Sequence, residues 1–276
     1  MKQYRLDSAL AEKGLSSSRE KAKREILAGW VKVDGETVRE PSRRIDGDES
    51  ISVERPGGLF VSRGGDKLRH ALDHFGIHLT GRVAVDLGAS TGGFTDCMLK
   101  AGAAKVFAVD VGYGQLDYSI RTDQRVVTLE RRHVNSLSAD DFPQAIDFFT
   151  ADLSFISIIK VTDRIKQLFP GVEGVILVKP QFESMQSEQK KGIVRKREDH
   201  AAILRRVCRG LTEKGISIQG CTYSPLKGPK GNIEFLLHVR PGPSPIALSE
   251  ELMSDYIDTV VGQAHEVLNK TISLSD

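Results

Sequence analysis

The sequence predicts an α/β fold, a doubly wound sheet preceded by a small α+β unit. Three observations carry this. First, the apolar run Val83 to Leu87 breaks into Gly88-Ala89-Ser90-Thr91-Gly92-Gly93-Phe94 and resumes as an amphipathic segment from Thr95 to Ala101, the order strand, tight loop, helix. Second, apolar runs and amphipathic segments alternate beyond it almost to the end of the chain, as they do when helices cross between parallel strands. Third, Arg55-Pro56-Gly57-Gly58-Leu59-Phe60 interrupts all periodicity and sets apart a first unit of different rhythm. The expected boundaries are residues 1–55, a linker at 56–61, and a larger domain at 62–276.

At 276 residues the chain has room for one α/β domain with a smaller attachment. A hydrophobic content of 39% with 28% charged residues describes a soluble globular protein. Cys97, Cys208 and Cys221 lie far apart and form no CxxC pair, which argues against a disulfide framework or a metal site and fits a reducing cytoplasm. No stretch approaches the roughly 20 apolar residues of a membrane helix, and Met1-Lys2-Gln3-Tyr4-Arg5 leads into no signal-peptide core, so no membrane insertion is expected. A net charge of +2 gives little overall pull toward polyanions, so any nucleic-acid surface must come from local clustering.

In the first unit, Arg5 to Glu12 and Arg19 to Ala28 read as two short helices, with Gly14 stopping the first and Ser16-Ser17-Ser18 capping the second. Beyond Gly29 come a strand from Val31 to Val33, the turn Asp34-Gly35, and a further β pair through Val38 and Ile51 to Val53. Residues 1–55 hold 12 Lys and Arg against 11 Asp and Glu, so charge alone does not separate a solvated face from an RNA-docking one. The unit resembles the alpha-L RNA-binding motif of ribosomal proteins and rRNA-modifying enzymes. Arg5-Leu6-Asp7, Gly14-Leu15, Ser18-Arg19, Ala22, Ile26, Gly29, Val31, Val33, Gly35, Pro41-Ser42 and Asp48 all fall in register. The resemblance implies RNA binding by Arg5 and by the face carrying Arg19 and Lys23.

In the larger domain, Val61-Ser62-Arg63-Gly64-Gly65-Asp66-Lys67 precedes an amphipathic helix from Leu68 to Phe75. Lys67 stands at the helix entrance, where the helix dipole favours anions, so its placement serves something other than the helix. After the strand at Val83, the run Lys105 to Val109 ends on Asp110. Ile146 to Asp152 is a third run and ends in an acid. Gly174 to Lys179 is a fourth and ends in a lysine before Pro180, with a helix from Ile156 to Leu168 between the two. A helix from Glu198 to Lys214, strands from Gly215 to Cys221 and Ile233 to Val239, and a closing helix from Glu250 to Asn269 complete the pattern. The basic stretch Gln189 to Arg197 reads as a mobile loop, either a phosphate contact or a solvated linker. Pro225 to Asn232, with Lys227 and Lys230, is similar but adjoins Glu234, which favours RNA contact.

Two features favour a ligand over Gly88 to Phe94 rather than a mere packing turn. Asp86 places a carboxylate inside an apolar strand, where an unpaired charge is costly. Asp110 ends the next strand, where an open parallel sheet sets an acid against a ribose. The loop lacks both the Gly-x-Gly-x-x-Gly spacing and a Lys-Ser/Thr ending, so dinucleotides and triphosphates lose ground to S-adenosylmethionine, which has a ribose and no phosphate. In such sheets ligands gather beyond the carboxyl ends of the strands. Asp152 and Lys179 belong there, and Lys67 and Glu234 can be brought to the same rim, as either a structural charge network or a reaction centre. Transfer of a methyl group from a sulfonium to a ribose hydroxyl requires removal of the hydroxyl proton. A lysine accepts it only as the neutral amine, for which a second lysine nearby would help by supplying a cation.

The larger domain resembles the FtsJ-like ribose methyltransferases and, with the first unit, the TlyA family of rRNA cytidine 2′-O-methyltransferases, often labelled hemolysin A. The residues that carry this are Ser62 to Leu68, Asp86 to Phe94, Val109 to Leu116, Asp152 to Ser157, Leu177 to Glu183 and Gly231 to Leu236. The resemblance implies a Rossmann-like methyltransferase sheet, S-adenosylmethionine as cofactor and rRNA or ribosomal subunits as partner. It carries the family's Lys-Asp-Lys-Glu tetrad onto Lys67, Asp152, Lys179 and Glu234, with Lys179 as base. It places cofactor contacts at Gly88, Ser90, Gly92, Gly93, Phe94, Asp110 and Asp152; Arg63 joins Lys227 and Lys230 among the expected RNA contacts. One stretch departs from the family's Glu-Arg-x-Asn-x-Arg: Glu130 to Asn135 has His133 for the asparagine and Asn135 for the arginine. His133 is retained as an adenine-side contact. The expected function is rRNA ribose methylation at cytidine. The alternatives are a non-catalytic RNA-binding or ribosome-assembly factor, which the altered stretch permits, and the membrane-lytic activity implied by the hemolysin label, for which no amphipathic segment is spare.

Overall fold

The computed structural model describes residues 4–16, 18–27, 29–46, 49–53 and 59–270. The expected helix end at Ala28, the motif residue Asp48 and the linker stretch from Arg55 to Gly58 lie outside them. The chain divides into two compact units, Met1–Leu59 and Phe60–Asp276.

In the first unit β1 (Tyr4–Arg5), α1 (Leu6–Glu12), α2 (Arg19–Leu27), β2 (Val31–Val33), β3 (Glu36–Val38), β4 (Arg44–Ile45) and β5 (Ile51–Val53) follow one another. Strand β1 pairs with β4, and β2 lies between β3 and β5, all antiparallel. Asp34 and Gly35 take φ of 52° and 84°, the left-handed pair that closes a two-residue hairpin. Ser18 Oγ accepts from the Lys21 N–H at 3.2 Å and caps α2, and Leu6, Leu10, Ala22, Ile26, Val31 and Ile45 form the core. Arg5, expected as the first helical residue, is held in β1 instead.

The second unit runs α3 (Gly64–Phe75), β6 (Val83–Leu87), α4 (Gly93–Lys100), β7 (Lys105–Asp110), α5 (Tyr118–Arg121), β8 (Val126–Glu130), β9 (Phe148–Ala151), α6 (Thr162–Leu168), β10 (Glu173–Val178), α7 (Pro180–Glu183), α8 (Arg197–Glu213), β11 (Ile216–Tyr223), β12 (Phe235–Pro241) and α9 (Glu250–Lys270). The strands form a seven-stranded sheet in the order β11-β12-β10-β9-β6-β7-β8. From β10 to β8 all neighbours are parallel, while β12 is antiparallel to both β10 and β11. The chain steps outward from β6 through β7 to β8, then returns to the other side through β9 and β10. The order therefore reverses between β6 and β9, where a doubly wound sheet opens its ligand crevice.

Several boundaries differ from the sequence reading for local reasons. Strand β8, Val-Val-Thr-Leu-Glu at the sheet edge and half-buried throughout, is an addition to the sequence reading, which passes over its short apolar run. The single helix expected from Ile156 to Leu168 is a 3₁₀ turn, Ile158–Lys160, followed by α6. Ser157 Oγ accepts from the Ile159 N–H at 3.3 Å to start the turn, and Thr162 donates to the Ile158 carbonyl at 3.0 Å where α6 begins. Helix α3 begins at Gly64 rather than Leu68. Phe60 and Val61, read as the end of the linker, belong to the second unit: Phe60 is buried in its core and the Val61 N–H donates to Asp96 Oδ2 at 2.8 Å. Among the described residues no helix is long and apolar enough to cross a membrane.

Candidate active site

The four charged residues expected to meet are brought to one rim as two ion pairs. Strand β10 pairs Val178 with Phe235 of antiparallel β12, so Lys179 and Glu234 leave neighbouring strands at the same end. Parallel β9 brings Asp152 off its carboxyl end beside them. Lys179 Nζ lies 2.6 Å from Asp152 Oδ1, at an angle too oblique for a hydrogen bond, and donates to Ser154 Oγ at 2.7 Å. Lys67, in the first turn of α3, donates to Glu234 Oε2, a carboxylate with no exposure, across 167 residues of sequence. Each amine is thus paired with its own acid, Lys67 with Glu234 and Lys179 with Asp152.

The loop after β6 crosses the switch point. Gly88 has φ +90°, and a Cβ there would stand 2.5 Å from the Asp152 carbonyl oxygen, so the crossing requires glycine. Ser90 takes φ +49°, and its N–H donates to Asp110 Oδ2 at 2.7 Å; the Gly112 N–H donates to Asp110 Oδ1 at 2.7 Å. The Ser90 and Gly112 amides thus hold Asp110 beside the loop at the carboxyl ends of β6 and β7. Gly92, Gly93 and Phe94, also expected as cofactor contacts, are packed closely within the domain. Phe94 is 3% exposed in the core, a Cβ at Gly92 would press on Leu116 and Ile120, and one at Gly93 would collide with Ser62 Oγ. Two of the loop's three glycines serve packing.

Asp86 also has an internal reason. Fully buried, it accepts from Thr95 Oγ1 at 2.7 Å and Thr150 Oγ1 at 2.9 Å, tying β6 to α4 and β9. His133 Nδ1 accepts from the Asn135 N–H at 3.1 Å and caps a 3₁₀ turn, leaving only Nε2 for a ligand. Of the expected RNA contacts, Lys23, Arg63 and Lys230 are exposed. The other three have partners within the chain. Arg5 holds the buried Asp7 at 2.9 Å and, with burial opposing, keeps its carboxyl down at about 2; Arg19 joins at 3.4 Å. Lys227 Nζ donates to Asn269 Oδ1 at 2.9 Å.

Sequence reasoning assigned no role to Phe155 and Phe182. Phe155 takes φ +64° and is 89% exposed three residues after Asp152. Its ring centroid lies 5.1 Å from that of Phe182, whose ring lies 5.9 Å from Lys179 Nζ. The available signal was an aromatic in a polar loop, outside any apolar period. A concavity of about 540 Å³ lined by Arg82, Asp147, Glu173 and Arg240 lies at the opposite end of the strands. There His238 and Arg82 both hold Glu173, at 2.9 and 2.5 Å, while Arg240 donates to the Gly171 carbonyl and Asp147 accepts from the Val83 N–H at 2.9 Å.

An open α/β sheet with a crevice at its switch point and paired lysines and acids on its rim, joined to a separate small α+β unit, defines a class of enzyme that acts on a ligand held over strand ends. Comparison with known proteins narrows the class. The FtsJ-like methyltransferase family model matches residues 60–240 and the S4 domain model matches residues 5–51. The chain is 42% identical to "Putative rRNA methyltransferase YqxC" of Bacillus subtilis over 98% of this chain and 96% of the relative. It is 39% identical to the 16S/23S rRNA (cytidine-2′-O)-methyltransferase TlyA of Mycobacterium tuberculosis, over 86% and 89%. A solved structure described as "Putative hemolysin from Streptococcus thermophilus" superposes with a TM-score of 0.76 at 37% identity, covering 99% of both chains. The chain belongs to the FtsJ-like methyltransferase family, with an S4 RNA-binding domain at its amino-terminal end.

Proposed function

We propose that this protein methylates the ribose 2′-hydroxyl of a cytidine in rRNA, using S-adenosylmethionine, in the cytoplasm, with rRNA or ribosomal subunits as its partner. The observation that carries the reading is the double ion pair on one rim beside the switch point, with a hydroxyl already seated on Lys179. Ser154 Oγ, 2.7 Å from Lys179 Nζ, stands where a ribose hydroxyl would be accepted. Phe155 offers an open aromatic face to the base in the same loop. The names of the TlyA relatives support rRNA cytidine as the substrate.

The residues present suit the cofactor. Both Asp110 oxygens accept only backbone N–H groups, leaving lone pairs for a ribose diol, and Gly88 and Ser90 keep the backbone open beside them. When bound, S-adenosylmethionine supplies an electrophilic methyl carbon on a sulfonium. Lys179, once its ammonium has released a proton to solvent, takes the hydroxyl proton as the oxygen gains the methyl, Asp152 holds the amine in place, and the Lys67–Glu234 pair orders the neighbouring strand end.

Lys179→Ala is expected to slow methylation of rRNA from cells lacking the gene by about 10²–10⁴-fold, the usual worth of a general base. Cofactor affinity, measured by calorimetry, stays within the wild-type range. Undiminished methyl incorporation by the variant would remove Lys179 from this role. A wild-type protein that binds no cofactor at millimolar concentration would favour the non-catalytic RNA-binding reading.

A further inference from the structure

The basic stretch before α8, expected to be mobile, is a closed turn. The Lys190 N–H donates to the Ile193 carbonyl at 2.9 Å and the Ile193 N–H returns to the Lys190 carbonyl at 3.1 Å. Between them Lys191 and Gly192 take φ of 54° and 75°, the left-handed pair of a tight hairpin turn. Asn232, 2% exposed, pins this turn to the loop that precedes Glu234. Its Nδ2 donates to the Gly192 carbonyl at 3.1 Å, and its Oδ1 accepts from the Val194 N–H at 3.1 Å.

The second loop brings its own cation to the contact. Lys230, with φ +59°, carries its Nζ to 3.8 Å from where a Cβ on Gly192 would lie. Lys190, Lys191, Arg195 and Lys230 are all exposed. Glu188, just before the turn, is bound to Arg206 at 2.8 and 2.9 Å, and among the described residues neither Lys191 nor Lys230 has a carboxylate partner. Lys230 is therefore held against the turn that carries Lys191, through a buried amide and with both lysines in left-handed backbone, an arrangement that an anion would relieve. The inner side of the same loop reaches the rim: the Gly228 N–H donates to the Asn232 carbonyl at 2.8 Å, and a Cβ on Gly228 would collide with Glu234 Oε1.

We propose that Lys190, Lys191, Arg195 and Lys230 form a cradle for backbone phosphates of the RNA next to the nucleotide being modified, with Asn232 as the positioning residue that joins the two loops. This rests on the reading of the protein as an RNA ribose methyltransferase. The cradle reads no base, so it contributes affinity and register rather than sequence choice.

The test uses the full chain with labelled poly(C) RNA, anisotropy across a salt series, and methylation of rRNA from cells lacking the gene. The double variant Lys191→Glu with Lys230→Glu is expected to bind RNA at least about tenfold more weakly. Its log–log salt slope should be shallower by about 1.4, two phosphate contacts at roughly 0.7 each on a single strand. Lys191→Gln with Lys230→Gln, which adds no repulsion, should show the same slope change with a smaller loss. Asn232→Ala keeps every charge and should raise the KM for RNA more than it lowers kcat. Unchanged affinity and slope in both double variants, with wild-type methylation intact, overturns the cradle alone. A wild type that never methylates, together with loss of RNA binding in the charge-reversed variant, overturns the enzymatic reading and leaves the cradle standing.

Discussion

Asp86 is a carboxylate without access to water, in the middle of β6. Burial pushes its pKa up from 3.8 to about 6, against the two threonine hydroxyls that favour the charged form. Because the folded value is the higher one, the folded state holds the proton more tightly between these two values, and stability falls as pH rises through that window. The difference amounts to about 3 kcal/mol at neutral pH. Asp86→Asn removes the titration, so its stability relative to wild type should grow by up to that amount between about pH 4 and pH 7, read from urea midpoints. A pH-independent difference would mean that Asp86 does not titrate in the folded protein. The sequence marked Asp86 as unusual without revealing its partners. Its partner Thr150 lies 64 residues away on a strand whose neighbour is decided by sheet order.

At the level of elements, α3 and α4 meet through glycines. A Cβ at Gly93 would collide with Ser62 Oγ and approach the Gly65 backbone nitrogen at 2.9 Å, and one at Gly65 would collide with Phe60. Gly93→Ala is expected to cost about 1–3 kcal/mol, the range for overpacking. Gly76→Ala, at the left-handed end of α3 (φ +66°) with open space around it, should cost only about 1 kcal/mol from backbone strain. Thermal unfolding of the two variants checks the ranking, and equal losses would show that the crossing relaxes freely. These glycines were legible as a loop but not as a helix crossing, since a run of small residues looks the same whether a ligand or a neighbouring helix fills the space.

Over the whole molecule, each unit has a separate apolar core, one built on Leu6, Leu10 and Ile26 and the other on both faces of the large sheet. A chain starting at Phe60 should therefore fold and keep its cofactor affinity by calorimetry. Its affinity for rRNA should drop at least about tenfold, because the S4 domain would be gone. Undiminished RNA binding by the shortened chain would leave the S4 domain without a part in docking.

Sequence by itself determined what is local: the strand, loop and helix at Val83 to Lys100, the alternation that makes an α/β sheet, the hairpin at Asp34-Gly35, and the presence of Lys and Asp at strand ends. These follow from side-chain periodicity and from backbone conformations that a few residues settle among themselves. Only the tertiary structure decided which charge meets which. Lys67 faces Glu234 because β12 runs antiparallel to β10 in one particular register, and Asn232 joins two loops because both leave that rim. Register and strand order depend on contacts between residues far apart in the chain, to which the local pattern of any one segment is blind.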